Sequence, residues 1–172
     1  MKSRISKSVY GVTLAFVLAL AGAAFLTPAR DVGASTTQGP ESEARKLEGT
    51  WRVEVTPRNC QTGAPLGSSF TSLLSFARGG VLIETTSRFS PAMRGPAHGI
   101  WQHTGGHTFS ATAYAFLYNS SGAWTGTQKI TQTIEIGDDP DEFNANATSE
   151  IFDTNGNLIQ SGCSTAVGHR LE

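Results

Sequence analysis

From Leu47 onward the chain is written in alternation. Trp51, Val53 and Val55 are interleaved with Arg52, Glu54 and Thr56, a period of two that puts the apolar side chains on one face of a strand. Segments of the same kind recur at residues 70–77, 81–89, 99–104, 107–118, 124–136, 142–153 and 158–171. Short polar or glycine-bearing turns divide most of them: Gly79-Gly80, Gly105-Gly106, Asn119 to Gly122, Asp138 to Asp141, and Asn155-Gly156, a strong hairpin signal. No stretch after Leu47 has the 3.6-residue period of an amphipathic helix. The pattern therefore predicts an all-β domain of eight antiparallel strands joined in sequential order. Such a meander removes its exposed edges by closing into an up-and-down barrel. A two-sheet sandwich is the competing architecture, though it brings longer crossover connections. One stretch breaks the rhythm. Between Arg88 and His107 two prolines, Pro91 and Pro96, interrupt the alternation, and three of the four histidines fall close together. A long connection in a tightly turned β-protein is a place for a site, so residues 88–107 are expected to line one mouth of the barrel.

The N-terminus carries a different signal. Lys2, Arg4 and Lys7 precede an apolar run at residues 12–26, and Val32-Gly33-Ala34 supplies the small residues of a cleavage site. Residues 1–34 are expected to be a signal peptide, residues 35–46 a flexible polar leader, and residues 47–172 the barrel domain. The apolar run is shorter than the roughly 20 residues of a bilayer span, so no membrane association is expected once it is removed. The protein is expected to be secreted or periplasmic. The removed segment holds four of the 13 Lys and Arg and one of the 14 Asp and Glu, which leaves the rest at net −4. Nucleic acid needs clustered cations for counterion release, and none are present, so it is not an expected partner. Two cysteines in an exported chain predict one disulfide, Cys60 to Cys163.

Closure can be read against these cysteines. In a closed meander the last strand pairs antiparallel with the first. A register that brings Cys163 to Cys60 also brings Arg170 beside Trp51 or Val53, within one two-residue step. It puts odd positions of the first strand on the same face as even positions of the last. Trp51, Val53 and Val55 would then share the interior with Gly162, Ser164, Ala166, Gly168 and Arg170, while Cys163 and His169 point outward.

Gly49-Thr50-Trp51 at the opening of the first strand, with Arg170 near the end of the last, resembles the Gly-x-Trp and closing-arginine signatures of the lipocalins and their wider calycin relatives. The resemblance extends over residues 47–172. It implies an eight-stranded barrel that carries a small molecule, in which Arg170 packs across Trp51 and closes one end, commonly with one disulfide. The chain departs from the lipocalin pattern in two respects: no C-terminal helix follows Arg170, and the family's second signature motif is missing. The helix-free avidin-like and nitrobindin-like barrels are equally similar.

The candidate chemistry gathers around residues 88–107. Arg88 and Arg94, with Phe89, Met93 and Trp101, would offer guanidinium groups beside an aromatic and thioether surface, suited to a ligand with a carboxylate and an apolar body. His98, His103 and His107 have no spacing known for a metal or haem site, so no metal ligand and no cofactor is assigned. His98 and His103 are candidates for a polar rim. Gln132 interrupts the apolar face of Ile130 and Ile134, and a buried amide needs a partner, either a side chain or a ligand. Glu84 and Glu135 alternate with apolar neighbours and read as outward-facing. The acids at 138–142 and the run from Asp153 to Asn157 lack the arrangement of a calcium loop and read as turns. No catalytic constellation is legible, because there is no nucleophile elbow and no obviously paired carboxylates. The expected function is binding of a small, partly apolar molecule. The alternatives are a barrel enzyme, either an isomerase or cyclase or a metal-assisted one using the histidines, and a filled barrel with a structural or interaction role. Nothing in the pattern sets an oligomeric state.

Overall fold

The computed structural model describes residues 42, 43 and 45–172, so the expected signal segment and most of the leader lie outside the described residues. Alternation in the sequence becomes eight strands: β1 (Gly49–Arg58), β2 (Phe70–Ala77), β3 (Val81–Thr86), β4 (Ala97–Gly105), β5 (Thr108–Tyr118), β6 (Trp124–Ile136), β7 (Glu142–Phe152) and β8 (Leu158–Arg170). Each pairs antiparallel with the next, and β8 returns to β1, giving a closed barrel rather than a sandwich. A 3-10 turn, Arg45–Leu47, leads into β1. Strand limits differ slightly from expectation: β3 ends at Thr86 rather than Phe89, and β4 begins at Ala97 rather than Gly99.

The closing register places Trp51 opposite Arg170, Val53 opposite Gly168 and Arg58 opposite Cys163. The shared inner face of Trp51, Val53, Gly168 and Ala166 follows from this parity. Cys163 consequently faces outward, and it is bonded to Cys60 in the loop beyond β1, with the two Cα atoms 5.2 Å apart. The bond closes a loop of sequence separation 103 and ties the loop beyond β1 to β8. Reducing it is expected to lower stability by about 2–4 kcal/mol. Urea unfolding with and without reductant reads this directly.

The two ends of the barrel are built differently. At the end where β1 begins, Trp51, Phe76, Phe109 and Phe143 are fully buried. Trp51 lies 4.9 Å from Phe143 between ring centroids, and Trp101 meets Phe76 edge-on at 5.9 Å. Aromatic pairs at such separations add about 0.5–1.5 kcal/mol each beyond their buried area. Arg170 then seals this end. Its guanidinium lies 4.2 Å from the Trp51 ring centroid and donates to the carbonyls of Lys46, Glu48 and Pro140 and to Asp141 Oδ1. Trp51 Nε1 donates to Leu47 O at 3.0 Å, which ties the 3-10 turn across the same opening. The sequence permits this only with glycine at two positions. Gly49 has φ +126°, and a Cβ there would stand 2.8 Å from Arg170 Nη1; a Cβ on Gly168 would stand 2.3 Å from the Phe143 ring.

Glu84 is a correction to the sequence reading. It lies opposite Leu74 on the inner face and is buried, whereas Val81 and Ile83 are exposed. β3 is apolar on both faces, so local alternation did not say which face is inside; pairing with β2 decides it. The acidic turns are turns as expected. Asp153 accepts hydrogen bonds from the Asn157 side chain and from the backbone N–H groups of Asn155 and Asn157, and the Asn157 amide holds its carboxyl below the usual carboxylate range.

Candidate functional site: the open end of the barrel

Inward positions are not buried evenly along the barrel. Ile134, Ile136, Phe143 and Ala145 are buried near the aromatic end, but Ile130, Ser149, Ile151 and Gly162 are only partly covered at the other. The small inner residues of β8 account for this. Beside Gly168 the space is filled by Phe143, while no large side chain fills the space beside Gly162. A cavity of about 460 Å³ results, with Phe70, Phe89, Ile130 and Ile151 among its apolar walls. This lies in the roughly 300–1,000 Å³ range of small-molecule sites.

The polar part of the cavity is organised by Arg94. Ser90 O accepts from the backbone N–H of Arg94, Gly95 N–H donates to Phe116 O, and Tyr118 N–H donates to Met93 O. These bonds lay the connection between β3 and β4 along the end of β5, and the Arg94 side chain turns into the barrel. There Nη2 meets Glu84 Oε2 at 2.7 Å, and both residues are only 5% exposed. Arg94 Nε donates to Gln128 Oε1 at 2.6 Å, and Gln128 Nε2 donates to Ser149 Oγ at 2.7 Å. On the other side Ser72 Oγ donates to Glu84 Oε1 at 3.2 Å. One continuous chain of hydrogen bonds thus joins β2, β3, β6 and β7 through a residue that belongs to none of them. A buried charge is tolerated only when it is paired and hydrogen-bonded, and this one is both.

The expected site residues separate into two groups. Arg88, Phe89 and Arg94 line the cavity, and the Arg88 guanidinium lies 5.1 Å from the Phe70 ring centroid at its mouth. Met93 is exposed beside them. The second half of the stretch is elsewhere, a correction to the expectation that all of residues 88–107 line one mouth. Trp101 is buried between Phe76 and Phe109 at the closed end, its Nε1 donating to Ala77 O at 3.0 Å. His103 is near the same end, its Nε2 2.7 Å from Gly106 O and its ring 5.1 Å from that of Phe109. His98 faces outward and is exposed. The physical reason is length: nine residues of β4 at about 3.3 Å each carry the chain some 30 Å, from one end of the barrel to the other. The histidines do not converge, and among the described residues no three His, Cys, Asp or Glu side chains gather as a metal site. Gln132 is buried on the inner face of β6, one inward step deeper than Ile130 and outside the cavity lining.

Sequence reasoning missed Glu84, Gln128 and Ser149 as site residues. Gln128 carried a usable signal, since it continues the even-numbered inner face of Ile130, Gln132 and Ile134 toward the open end. Ser149 had none apart from its strand partner Ile130. No family model and no curated protein matches this chain.

Proposed function

We propose that this chain is an exported, calycin-like barrel that takes one small, partly apolar molecule bearing an acidic group into its open end. The observation that carries this reading is the cavity of about 460 Å³ walled by the buried Arg94–Glu84 pair and its hydrogen-bonded partners. Apolar walls suit the body of such a ligand, and a few fixed polar groups suit its orientation. Charge favours an acidic end. Arg88 and Arg94 line the cavity against the single carboxylate of Glu84, in a chain whose net charge beyond residue 34 is negative. The disulfide and the N-terminal export pattern together favour an oxidising compartment.

Gly162 provides the test. It lines the cavity, its φ is not in the left-handed region, and a Cβ built there meets nothing within 4 Å. Gly162→Phe should therefore fill the cavity without straining the backbone. Anilinonaphthalene sulfonate, an anionic aromatic probe, is expected to bind the wild type and to lose at least about tenfold in affinity in the variant. Circular dichroism should show the fold retained. Equal titrations of the two proteins would remove the open end as the binding site. Native mass spectrometry of the purified protein then looks for the natural occupant.

A further inference from the structure

The outer wall of the barrel is divided as sharply as its interior. Between Arg94 and Lys129 the sequence contains no Asp, Glu, Lys or Arg. The only acid in β2 to β5 is Glu84, which points inward, so the outward positions of these four strands carry none of these charges. The remaining strands do carry charges on the outside, among them Arg52, Glu54, Lys129, Glu135 and Glu150.

The uncharged wall is strongly apolar. Val81 stands directly opposite Ile100, and Ile83 opposite His98, which is in turn opposite Tyr114. Phe116 and Trp124 continue the patch as an edge-on pair 6.4 Å apart. Exposure is 70% for Ile100, 59% for Phe116 and 50% for Tyr114. With aromatic side chains of about 150–250 Å² each, the six apolar residues present on the order of 600 Å². That is at the upper limit of the largest patch on an ordinary monomer, roughly 300–600 Å².

We propose that this wall, centred on Ile100, Tyr114 and Phe116, is the face through which two copies of the chain associate. Three arguments select a second copy as the occupant. The apolar centre together with its rim of Gln102, Ser110 and Thr112 approaches the roughly 800 Å² per partner of a stable interface. Depletion of charge with enrichment of aromatic residues is the composition of an interface centre. A neutral face is also complementary to itself: two chains of net negative charge meeting here bring no like charges together, and the bordering Lys129, opposite Tyr114, is already paired with Glu150 at 3.1 Å. An anionic lipid surface would instead call for Lys or Arg on this wall, and its strands carry none.

The test is light scattering on the product purified after expression of the full chain, over about 1–100 μM. The wild type is expected to have the mass of two chains. Ile100→Glu and Phe116→Lys, both at exposed positions, should raise the dimer dissociation constant by at least about 30-fold with unchanged circular dichroism. Asn146→Glu, exposed on β7 away from this wall, should leave the dimer intact. A wild type that is monomeric throughout overturns the proposal, and so does a dimer that survives both face variants. Co-flotation of a monomeric wild type with phosphatidylcholine vesicles would overturn it in favour of a lipid-facing wall.

Discussion

Trp51→Ala is expected to destabilise the barrel by about 3–5 kcal/mol, the range for truncating a large buried aromatic. Several contacts are lost together. The indole is fully buried, packs tilted against Phe143 at 4.9 Å between ring centroids, donates to Leu47 O and supports the Arg170 guanidinium 4.2 Å away. Removing it leaves Arg170 without its aromatic platform and Leu47 O without its donor, so the 3-10 turn and the turn at Asp141 should loosen with the core. Urea unfolding measures the loss. Hydrogen exchange should place the first opened amides at the β1–β8 seam near Arg170. A change below about 1 kcal/mol would mean that this end is closed by something other than the tryptophan and arginine.

Arg94→Ala is expected to cost a similar amount, about 3–5 kcal/mol, for a different reason. It leaves the buried Glu84 carboxylate and the Gln128 amide without their partner, and breaking one half of a buried pair costs far more than the pair itself contributes. That asymmetry supplies a control. The double variant Arg94→Met with Glu84→Leu removes both charges and should be markedly more stable than Arg94→Ala alone. If the single and double variants unfold at the same urea concentration, the pair is solvated and the cavity wall is not a dry polar network.

The candidate site was half legible. Arg88, Phe89 and Arg94 could be found because prolines and glycine break the alternation there, and a broken pattern in a meander marks a loop. Glu84 could not, because Val81, Leu82 and Ile83 satisfy either face of β3 equally well, and the choice is made by hydrogen bonding to β2. Trp101 and His103 were assigned to the wrong end by sequence proximity to Arg94. Proximity along a strand means distance in space, and β4 takes these residues to the closed end.

Period-two alternation, turn chemistry and one parity argument from Cys60, Cys163, Trp51 and Arg170 were enough, from sequence alone, to determine eight strands, their order, closure and the inner face of the first and last. Those features are local, or follow from a single pairing sum, so the residues themselves encode them. That Trp51 and Arg170 close one end was implied by the lipocalin-like resemblance; tertiary structure alone decided that space remains at the other, because Phe143 packs against Gly168 while Gly162 has no such neighbour. It also decided that Arg94 pairs with Glu84, and that Ile83, Ile100 and Phe116 form one exposed wall. Each of these joins residues on different strands, and the energy of such a contact depends on packing and burial that no single segment specifies.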